Sequence, residues 1–127
     1  MTPSAILLSD DLIFTSRVVG TGRDLGLPIR TARNADAVLK LSQQQFPTCV
    51  IVDLSNPGLR IAELIAGLGA LTTRPRIVAY GSHVDTATLR AAREAGCDVV
   101  LPRSEFVEEL PNALPAWLAV PTGGGDS

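Results

Sequence analysis

A doubly wound α/β domain, one parallel sheet with helices on both faces, is the fold class this sequence predicts. Short apolar runs recur at residues 5–9, 28–32, 49–53, 76–80 and 98–101. Between them lie stretches of about 10 to 15 residues whose apolar positions repeat at the helical period. Glycine, proline or a capping side chain marks most junctions. Strict alternation of such elements calls for a parallel sheet with right-handed crossovers. The chain has 127 residues, enough for one domain and one good core.

The first run, "AILLS", is continuously apolar, as suits a strand buried on both faces, and ends in Asp10 and Asp11. Residues 12–25 then place Phe14, Val18 and Leu25 on one helical face, and Gly26 closes the helix. Pro28 to Ala32 is a shorter, weaker strand. Asn34 can cap a helix with the stripe Ala35, Val38, Leu39 and Phe46, which Pro47 stops. "CVIVD", residues 49–53, is apolar up to its aspartate. Pro57 is expected to open a third helix at its first turn, with Ile61, Leu64, Ile65 and Leu68 as the buried face, broken by "TTRP". "RIVAY" is the fourth strand, followed by a helix capped by Asp85 and ended by Gly96. "DVVL", residues 98–101, is the fifth. Ser104 is expected to cap a last helix reaching Trp117 and Leu118, with kinks at Pro111 and Pro115. The domain spans residues 1–119, and 120–127 read as a flexible tail.

Composition excludes several roles. The formal net charge is −2, so no global electrostatic pull toward nucleic acid or an anionic membrane is expected. No apolar run approaches the roughly 18 residues of a membrane span, and no secretory signal opens the chain. A cytoplasmic protein is expected, with Cys49 and Cys97 as free thiols acting as small buried hydrophobes. Arginine outnumbers lysine ten to one, which reads as the codon bias of a GC-rich bacterial genome. "GTGRDLG", residues 20–26, is no dinucleotide fingerprint, because its glycines fall inside or near the end of a helix and not between a strand and a helix start.

In such folds ligands bind at the carboxyl ends of the strands. Those ends deliver Asp10 and Asp11, then Asp53, then Gly81, Ser82 and His83, then Pro102, Arg103 and Ser104. Three carboxylates converging on one pocket would raise each other's pKa unless a cation neutralised them. An oxygen-only cluster of that kind suits Mg²⁺ ahead of Ca²⁺. His83, the single histidine, reads as an exposed loop residue.

"ILLSDD", "VIVDLSNPG" and "AREAGCDVVLPRSEF" together resemble the receiver domain of two-component response regulators, over about residues 4–119. The resemblance implies a flavodoxin-like sheet in the order 2-1-3-4-5 and Mg²⁺-dependent phosphoryl transfer from a histidine kinase. By position Asp53 resembles the phosphoacceptor, Asp10 and Asp11 the metal-binding pair, and Ser55 the residue offering the metal a backbone carbonyl. Arg103 stands where the family has a lysine paired to the phosphoryl group. The charge survives on a planar fork instead of a point. By the same resemblance Gly81 stands where the family has its switch hydroxyl at the end of the fourth strand, and Val100 where it has its switch aromatic. The expected function is therefore a stand-alone, atypical receiver in phosphorelay signalling, not an enzyme, phosphorylated at Asp53 or acting as a phosphorylation-independent pseudo-receiver. Its output would pass through residues 85–119 to another signalling protein or to a second copy in a homodimer. A Mg²⁺-dependent phosphohydrolase is a remote alternative, since Ser55 stands where such enzymes carry a second aspartate.

Overall fold

The computed structural model describes residues 2–120; the tail expected at the C-terminus lies, from residue 121 on, outside the described residues. The elements run β1 (Ala5–Leu8), α1 (Leu12–Asp24), β2 (Ile29–Ala32), α2 (Ala35–Gln45), β3 (Cys49–Asp53), α3 (Ile61–Gly69), β4 (Arg76–Gly81), α4 (Thr86–Ala95), β5 (Val99–Pro102) and α5 (Arg103–Leu118). All strand pairs are parallel, in the order β2-β1-β3-β4-β5. This is the flavodoxin-like arrangement the resemblance implied. No helix among the described residues is long and apolar enough to cross a membrane.

Alternation along the strands divides the core into two layers. Leu7, Ile51, Val78 and Tyr80 face α1 and α5, while Leu8, Val50, Val52 and Ala79 face the layer that holds Val38, Leu64, Leu68 and Leu89. Every residue of β3 is buried, which explains why its sequence is a continuous apolar run instead of an alternating one. The chain has only five aromatic residues, and four of them form one stack on the first layer. Tyr80 lies 4.6 Å from Phe106 and 5.0 Å from Phe14, and Trp117 stacks on Phe106 at 5.6 Å. Trp117 therefore packs the last helix onto the sheet.

Local signals account for most boundaries. Asp11, Asn34 and Asp85 cap α1, α2 and α4 by accepting from the amides of Phe14, Ala37 and Thr88. Gly96 ends α4 in the left-handed region at φ 108°, where a side chain would be strained. The sequence misplaces two helix starts. Proline 57 does not open α3. Asn56 and Leu59 instead close successive turns onto Asp53 and Asn56 carbonyls, Gly58 turns the chain at φ 74°, and the helix begins at Ile61. Ser104 is not the cap of α5, because the helix follows β5 directly from Pro102 and has no side-chain cap. The helix runs uninterrupted through Pro111 and Pro115.

Phe106 is fully buried between Tyr80 and Trp117. Phe106→Ala should cost about 3–5 kcal/mol of stability, read as a lower urea midpoint by circular dichroism.

Candidate functional site

The carboxyl edge of the sheet gathers its polar side chains where β1 and β3 lie side by side, the point at which strand order reverses. Asp53, the last residue of β3, is 4% exposed. Its Oδ2 accepts from the Ser9 hydroxyl at 2.7 Å. Its Oδ1 accepts from both the amide and the hydroxyl of Ser55, each at 2.9 Å. Ser9 in turn accepts from the Asp11 amide at 3.1 Å. Asn56, also buried, accepts from the Asp10 amide and donates to the Arg33 carbonyl, both at 2.9 Å, tying three loops together.

Asp10 and Asp11 do not join Asp53. Leu8 pairs with Val52, so the residue level with Asp53 on β1 is Ser9, and the two aspartates lie beyond it. Asp10 is exposed. Asp11 is committed twice: Oδ1 accepts from the Phe14 amide at 3.0 Å and Oδ2 accepts from Arg103 at 2.9 Å. Those two bonds, the amide first, hold its carboxyl below the usual carboxylate range. The convergence of three carboxylates expected for Mg²⁺ is therefore not formed. Among the described residues no group of three histidine, cysteine or acidic side chains is placed to hold a metal ion. Asp53 and Ser55 do meet, through the Ser55 amide and hydroxyl, which both donate to the carboxyl.

Arg103, expected against Asp53, instead pairs with Asp11 and lays its guanidinium over the Phe14 ring, 4.3 Å from the centroid. The ion pair is 43% and 39% exposed at its two side chains, so solvent screening keeps its contribution small.

The position expected for the switch hydroxyl also needs correcting. The register sets Tyr80, not Gly81, level with Asp53. A Cβ on Gly81 would meet Leu54 and Leu89, on the opposite layer. The hydroxyl on Asp53's side of β4 is thus a phenol at the end of a buried, stacked ring; Ser9 lies near it, but its hydroxyl points to Asp53, and among the described residues none is placed to hydrogen-bond the phenol. Burial first, and then the nearby Asp53, push the Tyr80 phenol well above its ordinary pKa. Val100 packs in the second layer, as a small apolar residue. His83 is exposed, as expected.

Ser9, Asn56 and Tyr80 are the site residues that motif spacing misses. A signal for two of them lay in the strand ends. Aligning the last apolar residues of the first and third runs puts Ser9 beside Asp53, and the fourth run puts Tyr80 on its other side.

Comparison with known proteins agrees with this architecture. No family model matches the chain. A transcriptional activator protein, ExaE of Pseudomonas putida, is 30% identical over 95 residues, which are 72% of this chain and 44% of that protein. The chain thus spans less than half the length of this relative. Among solved structures, a putative response regulator from Chloroflexus aurantiacus superposes with a TM-score of 0.80 at 19% identity, covering 93% of this chain and 98% of that one. The signal receiver domain of the putative response regulator NarL from Mycobacterium tuberculosis gives 0.75 at 19% identity, covering 91% and 94%. A response regulator from Burkholderia pseudomallei with a phosphorylated aspartic acid, a calcium ion and citrate gives 0.69 at 20% identity, covering 91% and 70%. The fold is that of response-regulator receiver domains.

Two outcomes follow from this geometry. Ser9→Ala leaves a buried carboxyl oxygen without its donor and should cost about 1–3 kcal/mol in urea unfolding. Because the folded-state pKa of Asp11 is depressed, its contribution is complete above the usual value of 3.8 and is lost as pH falls through the lower folded value. In an NMR titration of the Asp11 carboxyl, Arg103→Gln should raise the midpoint without restoring the usual value, since the Phe14 amide remains.

Proposed function

We propose that this chain is a receiver-type module of response-regulator signalling in which Asp53 serves as a hydrogen-bonded anchor and is not phosphorylated, so that the module works by protein contact. The observation that carries this reading is the occupancy of Asp53: both oxygens are spent on Ser9 and Ser55. An acceptor aspartate must present an oxygen outward as nucleophile. Here that would require breaking charge-assisted hydrogen bonds worth about 1.5–3 kcal/mol each.

Other features support it. Arg103 is drawn to Asp11, and among the described residues no cation forms an ion pair with Asp53. The stacked Tyr80 ring takes the place of a small, mobile hydroxyl. Among the described residues the donor set as arranged does not fit Mg²⁺. Hydrolysis of a phosphoester by Asp53 would lack a carboxylic general acid beside it, because Ser55 stands two residues on and already donates to Asp53. The similarity to ExaE and to receiver domains supports a partner within signalling, a histidine kinase or an output protein. The surface of residues 85–119 is the face proposed to meet it.

The test is incubation with acetyl phosphate and Mg²⁺, followed by intact mass. The expected result is no phosphate-sized gain. A gain that disappears in Asp53→Asn overturns the reading and makes Asp53 an acceptor.

A further inference from the structure

A cleft of about 660 Å³ opens at the carboxyl edge, between α1, the loops after β3 and β4 and the start of α5. Its volume falls within the roughly 300–1,000 Å³ of small-molecule sites. The lining holds Arg17, Arg103 and His83 and no carboxylate. Ser55, which also lines the cleft, donates to the buried Asp53. Arg17 is exposed and takes part in no ion pair among the described residues. Ser104, another lining residue, is the second residue of α5, a helix of 16 residues whose first amides no side chain caps. Ser82 accepts from the Val84 amide, leaving its proton free to donate. The apolar part of the wall is Phe14 and Val107. The Arg103 guanidinium lies over Phe14 while its side chain, 43% exposed, also lines the cleft, where a planar group can meet it.

We propose that this cleft binds a small organic anion non-covalently. Arg17, His83 and the start of α5 hold the anionic group, and an apolar ring lies against Arg103 and Val107. A bare inorganic anion would satisfy the donors but leave most of the volume and the apolar wall unused. The ligand would bridge α1, the β4–α4 loop and α5, so its binding would alter the surface offered to a partner. The inference deepens the reading of Asp53 as unphosphorylated and rests on it at one point: a phosphoryl group on Asp53 would displace Ser55, which lines the same cleft.

The test is an amide NMR titration of the full chain with phenyl phosphate, beside inorganic phosphate and benzyl alcohol, without divalent metal and with intact mass recorded at the end. Expected are saturable shifts at Ser55, Ser82, His83 and Ser104 with phenyl phosphate, weaker binding of inorganic phosphate and none of benzyl alcohol. Arg17→Ala, an exposed change, should weaken phenyl phosphate binding by about tenfold or more while leaving the remaining spectrum unchanged. Absence of saturable shifts, equal binding of inorganic phosphate, or indifference to Arg17→Ala overturns the proposal. If binding fails with the mass unchanged, the reading of Asp53 still stands; a phosphate-sized mass gain sinks that reading whether or not the cleft binds.

Discussion

The carboxyl group of Asp53 lies at the end of a strand buried along its whole length, and a polar group so placed must find partners or be expelled. It finds three donors on two residues, Ser9 and Ser55. The arrangement of the whole carboxyl edge follows from that requirement. Ser9 links Asp53 to the start of α1 through the Asp11 amide. Ser55 folds the loop after β3 back onto the strand, and Asn56 then fastens the loops of β1 and β2 to it. With Asp53 satisfied by hydroxyls, Asp11 is free to cap α1 and to take Arg103.

The aromatic stack fixes the other side of the site. Tyr80 is held between Phe14 and Phe106 on the layer that also contains Ile51 and Leu7. Its hydroxyl cannot swing outward without unstacking a ring that contributes to the core. Arg103 completes the wall by lying over Phe14. Hydrogen-bonded carboxyl, stacked phenol and seated guanidinium together make a pocket built for one arrangement, and that is the ground for proposing that the module works by contact.

Much of the fold was legible because the physics is local. Continuous apolar runs mark strands buried on both faces, and Asp11, Asn34, Asp85 and Gly96 mark helix ends by bonds or dihedrals that depend on one or two residues. The start of α3 was not legible, since Pro57 suits a helix's first turn and a tight loop equally well, and the Asp53 and Asn56 carbonyls decided for the loop. The candidate site was legible as a place and misread as a set. Asp53 stood out, but its neighbours across the sheet depend on strand register, a long-range property. Counting along the chain made Asp10 and Asp11 its companions and Gly81 its neighbour on β4, whereas register supplies Ser9 and Tyr80. Arg103, matched to the family's lysine, was expected beside Asp53, and the geometry gives it to Asp11.

The most direct test of an Asp53 held by serine hydroxyls is its response to a divalent ion that would need those same oxygens. Paramagnetic Mn²⁺ titrated into the labelled protein would selectively broaden amides near any site it enters. The expected result is no selective, saturable broadening at Ser9, Asp53 and Ser55. Saturable broadening confined to those residues, and abolished by Asp53→Asn, would contradict the account and show that the carboxyl opens readily to a metal.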